Sequence, residues 1–194
     1  IHSIENSPFR TKFEKDVEKM RGNICIGCIS DTDPQPIMVR SKMGLYAVCS
    51  IGIIQNAEKL SQELLEKCCA NFETMSSGNI NSAGLIGALI AQKDNFVDGI
   101  KYAQSKIEGT MSLVIMNEDS IILARDKDGR LPILIGKRSD GYCFSFESFA
   151  YQKLGYNTCQ ERKAGDVTQL SNGGVVVFCV GTEVMGFGCF GWRS

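Results

Sequence analysis

The sequence holds a single histidine, His2, near its start. One imidazole excludes a metal centre built on several histidines and leaves a His-dependent catalytic triad without its base. Neither sign of charge is in excess: 21 Lys and Arg stand against 22 Asp and Glu, a formal net charge of -1. Such a chain has no electrostatic footprint for nucleic acid or an anionic membrane surface. No apolar run approaches the roughly 20 residues that cross a bilayer. The opening Ile1-His2-Ser3-Ile4-Glu5-Asn6 lacks the basic and apolar regions of an export signal. These absences place the chain in the cytoplasm by default, with neither nucleic acid nor membrane as a partner. Proline is sparse, with 4 residues, and there is no repeat, low-complexity tract or Pro-rich linker. No internal domain boundary is therefore expected.

What is present describes a globular domain. Hydrophobic residues make up 43% and charged residues 22%, enough apolar surface for one core in 194 residues. The 9 cysteines are odd in number, and most sit in apolar, strand-like runs such as Val175-Val176-Val177-Phe178-Cys179-Val180. They read as reduced core residues. Cys25-Ile26-Gly27-Cys28 lacks the second pair that a zinc site wants, so it reads as core packing in a strand. Cys68-Cys69, at a helix end, reads the same way. Gly186-Phe187-Gly188-Cys189-Phe190-Gly191 lacks the strand and helix context of a phosphate cradle. Residues 181–194 are expected to be a tail, or the start of a linker to a domain not present. No metal or cofactor is implied.

Periodicity places the elements. Phe13, Val17 and Met20 recur at helical spacing through residues 10–21, and Gly22 is a stop. Residues 24–29 and 44–54 suit strands. Residues 56–69 suit a helix with Asn56 as its N-cap. Further helices are expected from Ser82 or Ala83 to Lys93 and from Phe96 to Ile107. Three hairpins follow: Met111–Met116 with Ile121–Ala124, Pro132–Ile135 with Tyr142–Phe146, and Val167–Leu170 with Val175–Val180. Segregated runs of strands and helices argue α+β with antiparallel sheet. Two sheets packed face to face with helices outside satisfy this pattern, as do other α+β layouts.

Several motifs stand in order. Gly109-Thr110-Met111-Ser112-Leu113-Val114 leads to Arg125-Asp126-Lys127-Asp128-Gly129-Arg130-Leu131-Pro132. Asp140-Gly141-Tyr142 and Ser145-Phe146-Glu147-Ser148 come next. Upstream stand Gly22-Asn23-Ile24-Cys25-Ile26-Gly27, Gln35-Pro36-Ile37 and the stretch from Ala47 to Leu60. Downstream stands Gly165-Asp166-Val167. Together they resemble the class II glutamine amidotransferase domain, in particular that of amidophosphoribosyltransferases, over roughly Glu5 to Leu170. The resemblance implies a glutaminase-like domain over residues 1–180. Its fold would be the four-layer αββα sandwich of N-terminal-nucleophile hydrolases, with two packed antiparallel sheets. The family's opening strand and its H-R-G segment have no counterpart in the chain. Asp126, Gly129 and Pro132 read as a tight turn, and Glu147-Ser148 as the start of a short connecting helix.

The family's chemistry sets requirements. An N-terminal cysteine attacks the glutamine amide, with its own α-amino group as base. An Asn side chain and a Gly N–H hold the oxyanion. An Arg takes the α-carboxylate and an Asp the α-amino group. Here residue 1 is Ile. With Gly52 and Asn56 on the family's Gly and Asn, Ser50 and Ile51 stand in place of its His and oxyanion Asn. Ser30 stands near the Arg position, and Ser82 replaces the Asp. No catalytic residue remains, and Ser30, Ile51, Gly52 and Ser82 outline a vestigial glutamine pocket. The expected function is a degenerate glutaminase domain of an amidophosphoribosyltransferase-like protein of purine biosynthesis. Its expected partners are a glutamine-like small molecule and a phosphoribosyltransferase domain in the parent protein. Two alternatives stand: an active amidotransferase whose cysteine-bearing segment lies outside this chain, and a self-association or partner-binding module, homo-oligomers being common in the family.

Overall fold

The computed structural model describes residues 8–30, 33–67, 80–171 and 173–179. His2, Cys68-Cys69 and residues 181–194 lie outside these. Helix α1 (Phe9–Lys19) opens the described chain. Strands β1 (Ile37–Ser41) and β2 (Gly44–Ile51) form a hairpin, and helices α2 (Ala57–Glu66), α3 (Ser82–Ile90) and α4 (Phe96–Lys106) follow. Then come β3 (Ser112–Met116), β4 (Ser120–Ala124), β5 (Leu134–Arg138) and β6 (Gly141–Ser145). Helix α5 (Ser148–Gln152) and strands β7 (Asn157–Glu161), β8 (Val167–Ser171) and β9 (Gly174–Cys179) complete the order.

Two antiparallel sheets result. Six strands run in the order β1-β2-β3-β4-β8-β9, and three in the order β6-β5-β7. Strand alternation divides the apolar residues of the larger sheet between its two faces. Tyr46, Val48, Leu113, Ile115 and Ile122 join the α2–α4 helices in one core. Cys49, Val114, Ile121 and Leu123 join Ile133 and Ile135 of the smaller sheet in a second. The short helix α5 covers the outer face of the small sheet, where Tyr151 is buried. The order of layers is helices, sheet, sheet, helix, as expected.

Helix α3 is apolar nearly all round, because it lies between the other helices and the sheet. At Gly87 an added β-carbon would stand 2.7 Å from Val39 Cγ2, so this helix approaches the β1–β2 hairpin through a residue without a side chain. Tyr46, 1% exposed, stacks edge-on against Phe96 and donates its hydroxyl to the Gly87 carbonyl oxygen at 3.4 Å. A buried phenol needs such an acceptor.

Several expectations need correction. Residues 24–30 form no strand and have no ladder partners among the described residues. Only Ile24 and Ile26 reach the core between the sheets, and Cys25 and Cys28 are exposed rather than packed inside. Cys159 is exposed as well, whereas Cys49 is buried. Val17 of α1 and Met20, which follows its last residue, are 59% and 61% exposed. Their spacing marks a helix without marking a buried face. Asn56 flanks α2 but its side chain makes no cap bond. Instead it donates to the Lys106 carbonyl at 2.9 Å and accepts from the Glu108 N–H at 3.0 Å, tying the start of α2 to the end of α4.

The turn from Arg125 to Pro132 forms as expected. Asp126 Oδ1 accepts from the N–H groups of Asp128, Gly129 and Arg130 at 2.9, 2.5 and 3.4 Å. The turn is clamped to the one that follows β7. The Gly165 N–H donates to the Asp126 carbonyl at 2.8 Å, and Arg125 donates to the carbonyl oxygens of Arg162 and Gly129. These buried polar groups join the two sheets.

Candidate functional site

A cavity of about 160 Å³ opens where β2 ends, and all four residues singled out from the sequence line it: Ser30, Ile51, Gly52 and Ser82. They arrive from three places in the chain. Ser30 ends the segment after α1, Ile51 ends β2 with Gly52 after it, and Ser82 begins α3. Asp33, Gln35 and Cys28 complete much of the wall.

Gly52 is where it is for steric reasons. Its φ is +147°, and an added β-carbon would stand 2.1 Å from the Thr110 carbonyl oxygen. The backbone here runs against the entry to β3. Thr110 N–H donates to the Ile53 carbonyl at 3.0 Å, Thr110 Oγ1 accepts from Ile53 N–H at 3.1 Å, and Gln55 N–H donates to Glu108 at 2.8 Å. No side chain fits between two backbones this close. The glycine is thus required by the scaffold, whatever the cavity does.

The rest of the wall is held by side chains bonded to main chain. Gln35 Oε1 accepts from the Ser50 N–H at 2.8 Å, and its Nε2 donates to the Ser50 carbonyl at 3.0 Å. The carboxamide mimics a strand neighbour and uses both of its ends on β2. Asn81, 4% exposed, donates to the Pro34 carbonyl at 3.2 Å and accepts from the Gly84 N–H at 3.0 Å, which caps α3. Asp33 Oδ2 accepts from the Ser82 N–H at 3.1 Å, and the Asp33 N–H donates to Ser30 Oγ at 3.1 Å. A carboxylate at a helix N-terminus is favourable in its own right.

The thiols of the site are of the inert kind. Partial desolvation raises the Cys28 thiol although the residue as a whole is exposed, with a lowering contribution from the hydrogen bond to Cys49. The Cys49 thiol is pushed up to about 12, first by burial and then by Cys28. Both stay protonated at neutral pH, and neither is an activated nucleophile. The donor set is equally plain. Ile51 offers no hydrogen bond from its side chain, and it is 46% exposed at the cavity mouth beside Ile29, 75% exposed. No Lys, Arg or His lines the cavity among the described residues. Sequence reasoning missed Asp33, because the contact that brings it into the wall joins positions 49 residues apart. No periodicity signals such a meeting. The role of Gln35 was likewise hidden, although its motif was not.

Residues 20–152 match the glutamine amidotransferase domain family. The amidophosphoribosyltransferase of Methanocaldococcus jannaschii is 28% identical over 142 residues, or 73% of this chain and 30% of its own. That of Bacillus subtilis is 29% identical over 144 residues, 73% of this chain and 29% of its own. Among solved structures, the glutamine phosphoribosylpyrophosphate amidotransferase of B. subtilis complexed with ADP and GMP matches with a TM-score of 0.65 at 28% identity, over 75% of this chain and 31% of that one. The chain therefore spans only 29% to 31% of the length of these relatives. The layered sheets, the ordered motifs and the match over 133 consecutive residues (20 to 152 inclusive) converge: this chain belongs to the glutamine amidotransferase domain family.

Proposed function

We propose that this domain keeps the glutaminase scaffold without hydrolysing glutamine, as a degenerate domain of an amidophosphoribosyltransferase-like protein. The observation that carries the reading is the company Ile51 keeps. It lines one cavity with Gly52, Ser30 and Ser82, so an aliphatic side chain stands where the resemblance wants a carboxamide donor. Losing one oxyanion donor costs about 3–4 kcal/mol of transition-state stabilisation. Among its described residues the cavity also offers no guanidinium for a carboxylate. The parent protein's activity, its use of glutamine and a phosphoribosyltransferase domain beside this one belong to the same proposal.

The test is ammonia release from glutamine by the intact gene product, alongside labelling by the affinity reagent diazo-oxo-norleucine. Background ammonia and no adduct are expected. Saturable turnover with a covalent adduct would overturn the reading in favour of an active amidotransferase.

A second reading, self-association, is favoured by the edge strand β9, which exposes Val176, Val177 and Phe178 at 49%, 39% and 46%. Its outer edge has no strand partner among the described residues, and an open apolar edge invites pairing. Sedimentation showing a strict monomer at high concentration would end it.

A further inference from the structure

Among its nine described lining residues, the cavity at the end of β2 carries one formal charge, the carboxylate of Asp33. Its remaining polar groups are hydroxyls and a thiol, since the Gln35 carboxamide is committed at both ends to Ser50. Its mouth is aliphatic, with Ile29 75% and Ile51 46% exposed. A zwitterionic amino acid fits this poorly. Its ammonium would find Asp33, but its carboxylate would meet no cation among the described residues of this cavity, Lys59 lining only the wider neighbouring cleft, and would lie near a like charge. A ligand with a positive head, an alkyl body and no carboxylate meets none of these objections. Resting on the reading that glutamine chemistry has been abandoned here, we propose that this cavity binds a small primary alkylammonium compound. The ammonium donates to the Asp33 carboxylate, and Ile29 and Ile51 cover its alkyl chain.

Asp33 already accepts from the Ser82 N–H through Oδ2. That bond leaves Oδ1 and further lone pairs for a cationic donor, because an ionised carboxylate offers about four acceptor sites. It also separates a ligand role from a structural one. In Asp33→Asn the amide oxygen still accepts from Ser82, so the start of α3 is kept while the charge is removed.

The experiment is an NMR titration of the isotope-labelled full chain, following the amides of Gly52 and Ser82. The probes are n-butylammonium, γ-aminobutyrate, butanamide and glutamine. Butylammonium is expected to shift both amides saturably. γ-Aminobutyrate, butanamide and glutamine are each expected to bind at least about tenfold more weakly, the loss of one charge-assisted hydrogen bond or the burial of a lone carboxylate. Asp33→Asn is expected to weaken butylammonium by a similar factor while the fold is kept, with a melting temperature lowered by no more than about 4 °C for the lost charge at the helix N-terminus. No saturable shift with butylammonium, equal binding to the folded Asp33→Asn variant, or tighter binding of glutamine would each overturn the proposal. The first two outcomes leave the absence of glutaminase activity standing. Ammonia release from glutamine would remove that reading first.

Discussion

Gly52 sits at φ +147°, and a β-carbon there would meet the Thr110 carbonyl oxygen at 2.1 Å. Gly52→Ala must therefore bear backbone strain and also part the 52–55 segment from residues 108–110. A loss of about 2–4 kcal/mol is expected in urea denaturation. A loss below about 1 kcal/mol would mean that the two backbones slide apart freely. Cys49 sets a second prediction at this scale. Its thiol ionises at about 12 in the fold, against an ordinary value of 9.0. Between those values the unfolded chain has released a proton that the folded chain retains, so stability falls as pH rises through that window. Below the ordinary value both states hold the proton and the contribution is flat. The urea midpoint of the native chain is expected to fall more steeply there than that of Cys49→Ala. Parallel curves would contradict the shift.

Among the elements, the Arg125–Pro132 turn ties the end of β4 to the turn after β7. Asp126 is 3% exposed, and its Oδ1 accepts from three consecutive N–H groups, those of Asp128, Gly129 and Arg130. Asp126→Ala leaves the Asp128 and Arg130 N–H groups without that acceptor, Gly129 keeping only the Asp126 carbonyl, for an expected loss of about 1–3 kcal/mol by thermal unfolding. Asp126→Asn keeps an acceptor and is expected to recover much of that loss. Equal losses in the two variants would show that charge, not acceptance, is what the turn needs. This turn was legible in advance, since Asp, Gly and Pro at those offsets have a local mechanism. So were the three hairpins, whose apolar runs are bounded by turn residues. Strand β7 was not: every residue from Asn157 to Glu161 is exposed, and a strand without a buried face has no alternation to read. The segment 24–30 misled for the opposite reason. Its apolar residues look like a strand, but a strand also needs a neighbour to bond with, and composition does not say whether one is there. The cavity divides in the same way. Ser30, Ile51, Gly52 and Ser82 follow from ordered motifs, whereas Asp33 enters only through the folded path of the chain.

At the scale of the molecule, both cores depend on one sheet. Strand β3 gives Leu113 and Ile115 to the helical side and Val114 to the side facing the small sheet. Neither core can be lost without stripping one face of β2, β3 and β4. Leu85 on α3 and Ile135 on β5 are both 0% exposed, and they belong to different cores. Leu85→Ala and Ile135→Ala are each expected to cost about 2–5 kcal/mol, because each leaves a void in close-packed surroundings. If the shared sheet makes the fold cooperative, each variant lowers a single common transition. Hydrogen exchange under rising urea should then show α3 and β5 losing protection together in both variants. Selective loss of α3 in Leu85→Ala, with β5 still protected, would show that the helical layer unfolds on its own. The cavity would be lost with it, because Ser82 stands at the first turn of that helix and carries the N–H that holds Asp33 in place.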